Sequence, residues 1–206
     1  MKYQRSFSCA RILRMQRHAP NIFTIGHSST PADNFVALLR LYRVDAVVDV
    51  RSHPASKFAP HFGRRQLSPL LRSANVRYAF MGDQLGGRPS NSQFYDEHGH
   101  VLYGEWSASK SFSDGLDRLT RAAANHRLAL MCSEESPRRC HRHLLIARAL
   151  VNNGWPRSHI IHIRGDGLNT PEDAISVQSG PLMEGIGWKS PRSVSREPRP
   201  STSSNA

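Results

Sequence analysis

Apolar positions along this chain follow two spacings that alternate. Residues 21–25, 45–50, 76–80, 128–131 and 159–163 are short runs rich in apolar and β-branched residues, too short for helices, and they read as strands. Between them apolar residues recur every three or four positions: Phe35, Leu38, Leu39 and Tyr42; Leu67, Leu70, Leu71 and Ala74; Phe112, Leu116, Leu119 and Ala123; Leu144, Leu145, Ala147 and Leu150. That period lays out one face of a helix. Thr30-Pro31-Ala32-Asp33 is a helix start, with a hydroxyl, a proline whose φ suits the first turn, and a carboxylate. Ser136-Pro137 repeats the first two features, and Gly154 can close the helix that follows. The wholly apolar Ala46-Val47-Val48 suits a sheet covered on both faces.

The alternation predicts an α/β fold, a Rossmann-like three-layer sandwich with a mostly parallel sheet of about five strands and helices on both faces. Residues 21–180 are assigned to this single α/β domain, residues 1–20 to a disordered basic extension, and residues 181–206 to a disordered tail rich in Ser, Pro and Arg. Residues 81–111 hold Gly86-Gly87-Arg88-Pro89 and several aromatics without a clear period, and they read as a lid or binding loop. Four polar segments follow strands: Gly26-His27-Ser28, Asp49 to Pro54, Leu85-Gly86-Gly87, and Cys132-Ser133-Glu134. In a parallel sheet all strand carboxyl ends share one edge, so these four segments are expected to meet in one cleft.

Charge changes this picture little. The net charge is +12, but only +5 falls on residues 21–180. The basic balance permits nucleic-acid or phosphate binding and, placed mostly on the ends, is weak evidence for either. Three cysteines and no hydrophobic leader point to a reducing cytoplasm. No apolar run approaches the roughly 20 residues of a membrane span, so no membrane partner is expected. The chain lacks Gly-x-x-x-x-Gly-Lys-Ser/Thr, Gly-x-Gly-x-x-Gly after the first strand, and Gly-x-Ser-x-Gly. These absences argue against a P-loop nucleotide triphosphatase, a dinucleotide-binding fold and a serine hydrolase elbow.

Thr24-Ile25-Gly26-His27-Ser28, Asp49-Val50-Arg51 with Pro54, Leu85-Gly86-Gly87, and Cys132-x-Glu134 with Pro137 and Cys140-His141-Arg142 form an ordered set. From about residue 22 to about residue 165 the chain resembles the family called domain of unknown function 488. The resemblance implies a single α/β domain of mainly bacterial and archaeal type and marks these motif residues as the site. It implies no reaction and no cofactor.

The residues themselves leave several chemistries open. Cys132, expected at a strand end facing a helix N-terminus, is either a reactive thiol or a structural one. Cys132 to Arg138 fits a phosphatase-like Cys-x5-Arg loop, but Glu134 and Glu135 inside that loop would repel both phosphate and thiolate. The same objection meets rhodanese-type sulfur transfer. Glu134 and Asp49 are candidate acid–base carboxylates facing each other across the cleft, or else members of ion pairs with Arg51 or Arg142. His27 is a candidate base or a loop histidine satisfied by backbone. The catalytic candidates are therefore Cys132, Glu134, Asp49 and His27, and the substrate-binding candidates are Ser28, Arg51, Gly86, Gly87, Arg88, His141 and Arg142. Arg51, Arg88 and Arg142 are suited to clamping an anion. Cys140 reads as a small core residue. Grouped with Cys132 and His141, with or without His143, it would make a metal site, but Cys-x7-Cys-His is not a standard zinc spacing, and no metal is assigned. Three functions remain: an enzyme of unassigned reaction on a small anionic or nucleotide-like substrate, a non-catalytic nucleic-acid or nucleotide binding module, and a thiol redox or metal sensor through Cys132 and Cys140.

Overall fold

The computed structural model describes residues 19–55, 58–175 and 187–191. Its centre is one sheet of six strands in the order β3-β2-β4-β1-β5-β6, with β1 Ile22–Gly26, β2 Ala46–Asp49, β3 Arg77–Phe80, β4 Leu128–Cys132, β5 Ile160–Ile163 and β6 Asn169–Pro171. The first five are mutually parallel, and β6 runs antiparallel to β5. Every residue of the central strands β1 and β4 is buried, whereas the edge strand β3 alternates exposed and half-buried positions. The sheet has six strands where about five were expected. The sixth is a three-residue polar segment ending in Pro171, which an edge position tolerates and an apolar pattern does not reveal.

Alternation along the strands divides the core in two. Phe23, Ile25, Val47, Ala129 and Met131 face α1 Ala32–Leu41 and α2 Arg64–Ser73 through Phe35, Leu39, Leu67 and Leu71. Ile22, Val48, Leu128 and Leu130 face the other side, with α3 Gly82–Leu85, α4 Tyr103–Ala108 and α5 Lys110–Ala123, and the last helix, α6 Arg148–Asn152. Helices therefore cover both faces, as an apolar parallel sheet requires. Among the described residues no helix is long and apolar enough to cross a membrane.

Three expectations need correction. Residues 81–111 are not an open lid: they contain α3 and α4 and bury Met81, Leu85, Val101, Tyr103 and Trp106 in the core. The segment after β4 is not a helix from Pro137 onward. Pro137–Arg139 forms a short 3-10 turn, Cys140 is extended at φ −112 and ψ 144, and a π-helix over Arg142–Ala147 then leads into α6. Ser136 makes no side-chain cap there. Gly154 does follow the last helix, with φ +88. Finally, residues 187–191 of the expected tail lie against the domain. Trp188 Nε1 donates to Leu144 O at 2.8 Å, the Arg148 guanidinium lies 4.5 Å over the Trp188 ring, and Ser190 N donates to Val101 O at 2.8 Å. An indole and a strand-like amide supply the contacts that a Ser- and Pro-rich composition hides. The extension over residues 1–18 and the rest of the tail lie outside the described residues.

The order of strands places the site. Helices after β1 and β2 lie on one face, and those after β3 and β4 lie on the other. Since β4 sits between β2 and β1, its exit loop leaves in the opposite direction to both neighbours. A crevice opens at such a switch point, at the carboxyl ends of the strands.

Candidate functional site

The β2 side of this edge is closed. Asp49 has no exposed surface, and Arg51 is 4% exposed. Arg51 Nε donates to Asp49 Oδ1 at 2.9 Å and Nη2 donates to Oδ2 at 2.7 Å, a two-pronged ion pair. Tyr78 Oη donates to Oδ2 at 2.8 Å, the Arg51 amide donates to Oδ1 at 3.1 Å, and Nη2 also reaches Phe62 O at 2.8 Å. The remaining prong, Nη1, meets His27 Nε2 at 3.1 Å. An arginine only donates, so Nε2 must accept and carries no proton. The His27 proton then sits on Nδ1, which donates to Ser28 O at 2.7 Å. Burial, followed by the Arg51 charge, pulls the His27 pKa down to about 4 against the bond to Ser28.

This corrects two expectations. Asp49 does not face Glu134 across a cleft, because its carboxylate is consumed by Arg51 and Tyr78. The free nitrogen that His27 would need as a base is occupied by Arg51. Ser28 is exposed at φ +46 and does not line the cleft. Gly26 has a packing role: a Cβ there would lie 1.9 Å from the Glu134 carbonyl oxygen, so only glycine lets the loop after β4 cross β1.

The β4 side is held by Arg142, which has no exposed surface and, among the described residues, no ion pair with a carboxylate. Its Nη1 donates to Thr24 Oγ1 at 2.9 Å, its Nη2 to the carbonyls of Glu134 and Glu135, and its Nε to Cys140 Sγ at 3.3 Å. Arg142 thus binds the backbone of the loop and not the Glu134 side chain, and it lies beneath the cleft instead of lining it. Thr24 accepts from Arg142, so its hydroxyl proton goes to His162 Nδ1 at 2.7 Å. His162 Nε2 in turn donates to Glu172 at 2.7 Å, and His143 Nδ1 donates to the same carboxylate at 2.9 Å. Burial opposes the Glu172 charge, but the two histidine bonds outweigh it and hold the Glu172 pKa below the usual range. Glu135 is paired with Arg164 at 2.7 and 2.8 Å, outside the cleft.

The extended backbone at Cys140 turns the next residues back toward the end of β4. Sγ of Cys132 and Sγ of Cys140 lie 3.7 and 3.8 Å from His141 Nδ1. His141 Nε2 donates to Val50 O at 2.9 Å, and Gly87 packs so closely that a Cβ there would lie 2.8 Å from the imidazole Cγ. The imidazole is therefore fixed in position and tautomer, with Nδ1 presented to both sulfurs. The Glu134 amide points at Cys132 Sγ. Contact with Cys140 and burial push the Cys132 thiol up. Burial would do the same to Cys140, but the bond from Cys132, the Arg142 charge and His141 outweigh it and carry Cys140 down.

Above the two sulfurs lies a cavity of about 290 Å³. Its lining contains Cys132, Glu134, Cys140 and His141 from the segment after β4 and Arg51, Gly87 and Arg88 from the segments after β2 and β3. Gly86 stays outside it: its carbonyl accepts from Trp106 Nε1 at 3.0 Å, and a Cβ there would lie 2.4 Å from Ser52 Oγ. Ser52, His53, Tyr103 and Arg139 also line the cavity and were not singled out from the sequence. Arg139 adjoins the Cys140-His141 motif and is the one that position alone hinted at.

A family model described as "Domain of unknown function DUF488" matches residues 31–150. The chain belongs to the DUF488 family. No curated protein and no solved structure matches it. The matched span holds every cleft residue from Arg51 to His141 in this DUF488 chain. Thr24, His27, His162 and Glu172, which buttress the cleft from below, fall outside it.

Proposed function

We propose that this DUF488 protein is an enzyme that acts on a small anionic or nucleotide-like substrate in the cleft at the strand carboxyl ends. One observation carries the reading: a single open cavity presents two sulfurs and an oriented imidazole on one wall and exposed guanidinium groups on its rim, Arg88 and Arg139. Arginine is suited to anion recognition because its donors match carboxylate and phosphate oxygens in pairs. In this reading Arg88 and Arg139 hold the anion. The Cys132, Cys140 and His141 cluster faces the reacting group, with Glu134 beside it as acid or base. At about 290 Å³ the cavity has the scale of a small-molecule site, which favours a mononucleotide or a smaller anion over a nucleic-acid strand.

The experiment is calorimetric titration of the full chain with inorganic phosphate and with a nucleoside monophosphate, repeated on Arg88→Ala/Arg139→Ala. Saturable binding that weakens at least tenfold in the double variant supports the reading. Binding that is equal in both proteins, or absent from both, overturns it. Affinity for polynucleotide with a steep salt dependence would point instead to the binding-module function.

A further inference from the structure

We infer that Cys132, Cys140 and His141 are the ligands of a thiophilic divalent cation, zinc by its donor set, with one coordination position open to the cleft. The donor geometry supports such a site independently of any anion in the cleft. Two sulfurs and one imidazole nitrogen lie within 4.8 Å of one another. Zinc bonds of about 2.3 Å to sulfur and about 2.0–2.1 Å to nitrogen, set at tetrahedral angles, require S···N separations of about 3.6 Å. The two S···N distances are 3.7 and 3.8 Å, within a few tenths of an ångström of that requirement, and the two sulfurs lie within 4.8 Å of each other.

The surroundings are those of a ligand set. A metal-bound histidine characteristically donates its second ring N–H to a carbonyl or carboxylate, and His141 Nε2 does so to Val50 O at 2.9 Å. That bond leaves Nδ1, the nitrogen facing the sulfurs, without a proton and able to coordinate. Each sulfur has its own donor: Arg142 Nε for Cys140 and the Glu134 amide for Cys132. Such bonds stabilise thiolates, the form that binds metal. Three protein ligands with a fourth position toward a cavity is the arrangement of catalytic zinc, whereas structural zinc takes four protein ligands. Two thiolates and an imidazole select zinc over the hard cations magnesium and calcium.

A second group, His143, His162 and Glu172, also brings three ligand atoms within 4.8 Å of one another. It is complete without a metal. Glu172 accepts from both histidines, and the other nitrogen of His162 is taken by Thr24. It serves as the internal control.

The test uses the full chain, purified under reducing conditions without chelator, stripped, and reloaded with zinc or cobalt(II). Elemental analysis should find one zinc per chain. The cobalt form should show thiolate-to-cobalt charge transfer and the intense d–d bands of tetrahedral coordination. Cys132→Ser and Cys140→Ser should each weaken zinc binding by more than the roughly 10–100-fold that loss of an outer-shell partner costs. Glu172→Gln should leave it unchanged. If a cysteine variant fails to fold by circular dichroism, the cobalt spectrum of the unaltered chain still decides. No bound metal, or a cobalt spectrum without thiolate charge transfer, overturns the inference. So does metal that persists in both cysteine variants and is lost in Glu172→Gln. A reduced chain that takes no zinc but forms a Cys132–Cys140 disulfide on mild oxidation also overturns it and leaves a redox pair. Phosphate titration of the same samples separates the two proposals: zinc without anion binding removes only the substrate reading, and anion binding without zinc removes only the metal.

Discussion

Arg51 and Arg142 are both buried at the same edge of the sheet, and their surroundings differ in kind. Arg51 is matched to the carboxylate of Asp49 through two parallel bonds, and its last donor is absorbed by a neutral histidine. Among the described residues Arg142 hydrogen-bonds only to uncharged oxygens and a sulfur, and its network reaches the Glu172 carboxylate through Thr24 and His162. With no carboxylate bonded to it, the Arg142 guanidinium turns on the Cys140 sulfur and favours its thiolate. The difference marks the β2 side as closed scaffold and the β4 side as the one where the proposed chemistry is placed. The Arg51 charge is spent on Asp49, whereas the Arg142 charge acts on Cys140.

Breaking the closed side should have the largest effect. Asp49→Asn keeps the shape, removes the charge and leaves Arg51 buried without a partner. Its expected cost is about 3–5 kcal/mol in urea denaturation. A loss under about 1 kcal/mol would mean that water or another group neutralises Arg51 and that the side is not closed.

The same side predicts a pH dependence. His27 has its pKa depressed to about 4 in the folded chain, against an ordinary value near 6.5. Between those values the unfolded chain binds a proton that the folded chain refuses, so stability falls as pH drops from about 6.5 to about 4 and the effect levels off outside that window. The His27 contribution is on the order of 3 kcal/mol. It is read as the difference between wild type and His27→Asn across the window. His162, also depressed by burial, bends both curves in the same direction and cancels in the difference. A difference that stays flat would show that His27 takes up its proton while folded, contrary to the tautomer set by Arg51.

On the open side, Thr24→Val tests whether the Arg142 network depends on its one hydroxyl. The change is nearly isosteric but leaves Arg142 Nη1 without an acceptor and His162 Nδ1 without a donor. The expected cost is about 1–3 kcal/mol, below that of Asp49→Asn because Arg142 keeps two carbonyls and the Cys140 sulfur. A larger loss than for Asp49→Asn would reverse the comparison.

The periodicity showed the five parallel strands and the helices on either face because these bury continuous apolar stripes. It missed β6, whose three residues pack no apolar face, and the core of residues 81–111, where Met81, Leu85, Val101 and Trp106 follow no single period. At the site, Cys132, Glu134, Arg51, Gly87, Arg88 and His141, marked by motif position, line the cavity. It could not show that Asp49 and His27 turn inward, because a strand end fixes where a residue stands and not which partner takes its side chain. Cys140 reached the cleft through an extended residue ahead of a π-helix, a break that the Ser136-Pro137 start signal conceals. Thr24 and His162 were legible in one respect: each is a polar residue inside an apolar strand and so demanded a buried partner.

The smallest stability effect, and the sharpest test of the open side, is expected from Glu134→Gln. Two parts of this residue have different roles. Its amide points at Cys132 Sγ, and its carbonyl accepts from Arg142 Nη2. Both bonds belong to the backbone and survive the substitution. The half-buried side chain belongs to the cavity lining, where solvent screens any pairing it makes, so neutralising it should cost no more than about 1 kcal/mol. Anion affinity should respond instead. A carboxylate in a cleft with Arg88 and Arg139 repels the same phosphate that they attract. At partly solvated distances that repulsion is on the order of 1 kcal/mol, so phosphate should bind severalfold more tightly to the variant, with the gain shrinking as salt is added. Urea denaturation and phosphate titration on the same preparations check both halves. A stability loss above about 3 kcal/mol with unchanged phosphate affinity, the size expected for breaking a buried ion pair, would make the Glu134 side chain part of the scaffold like Asp49 and would close the one side of the edge argued to be open.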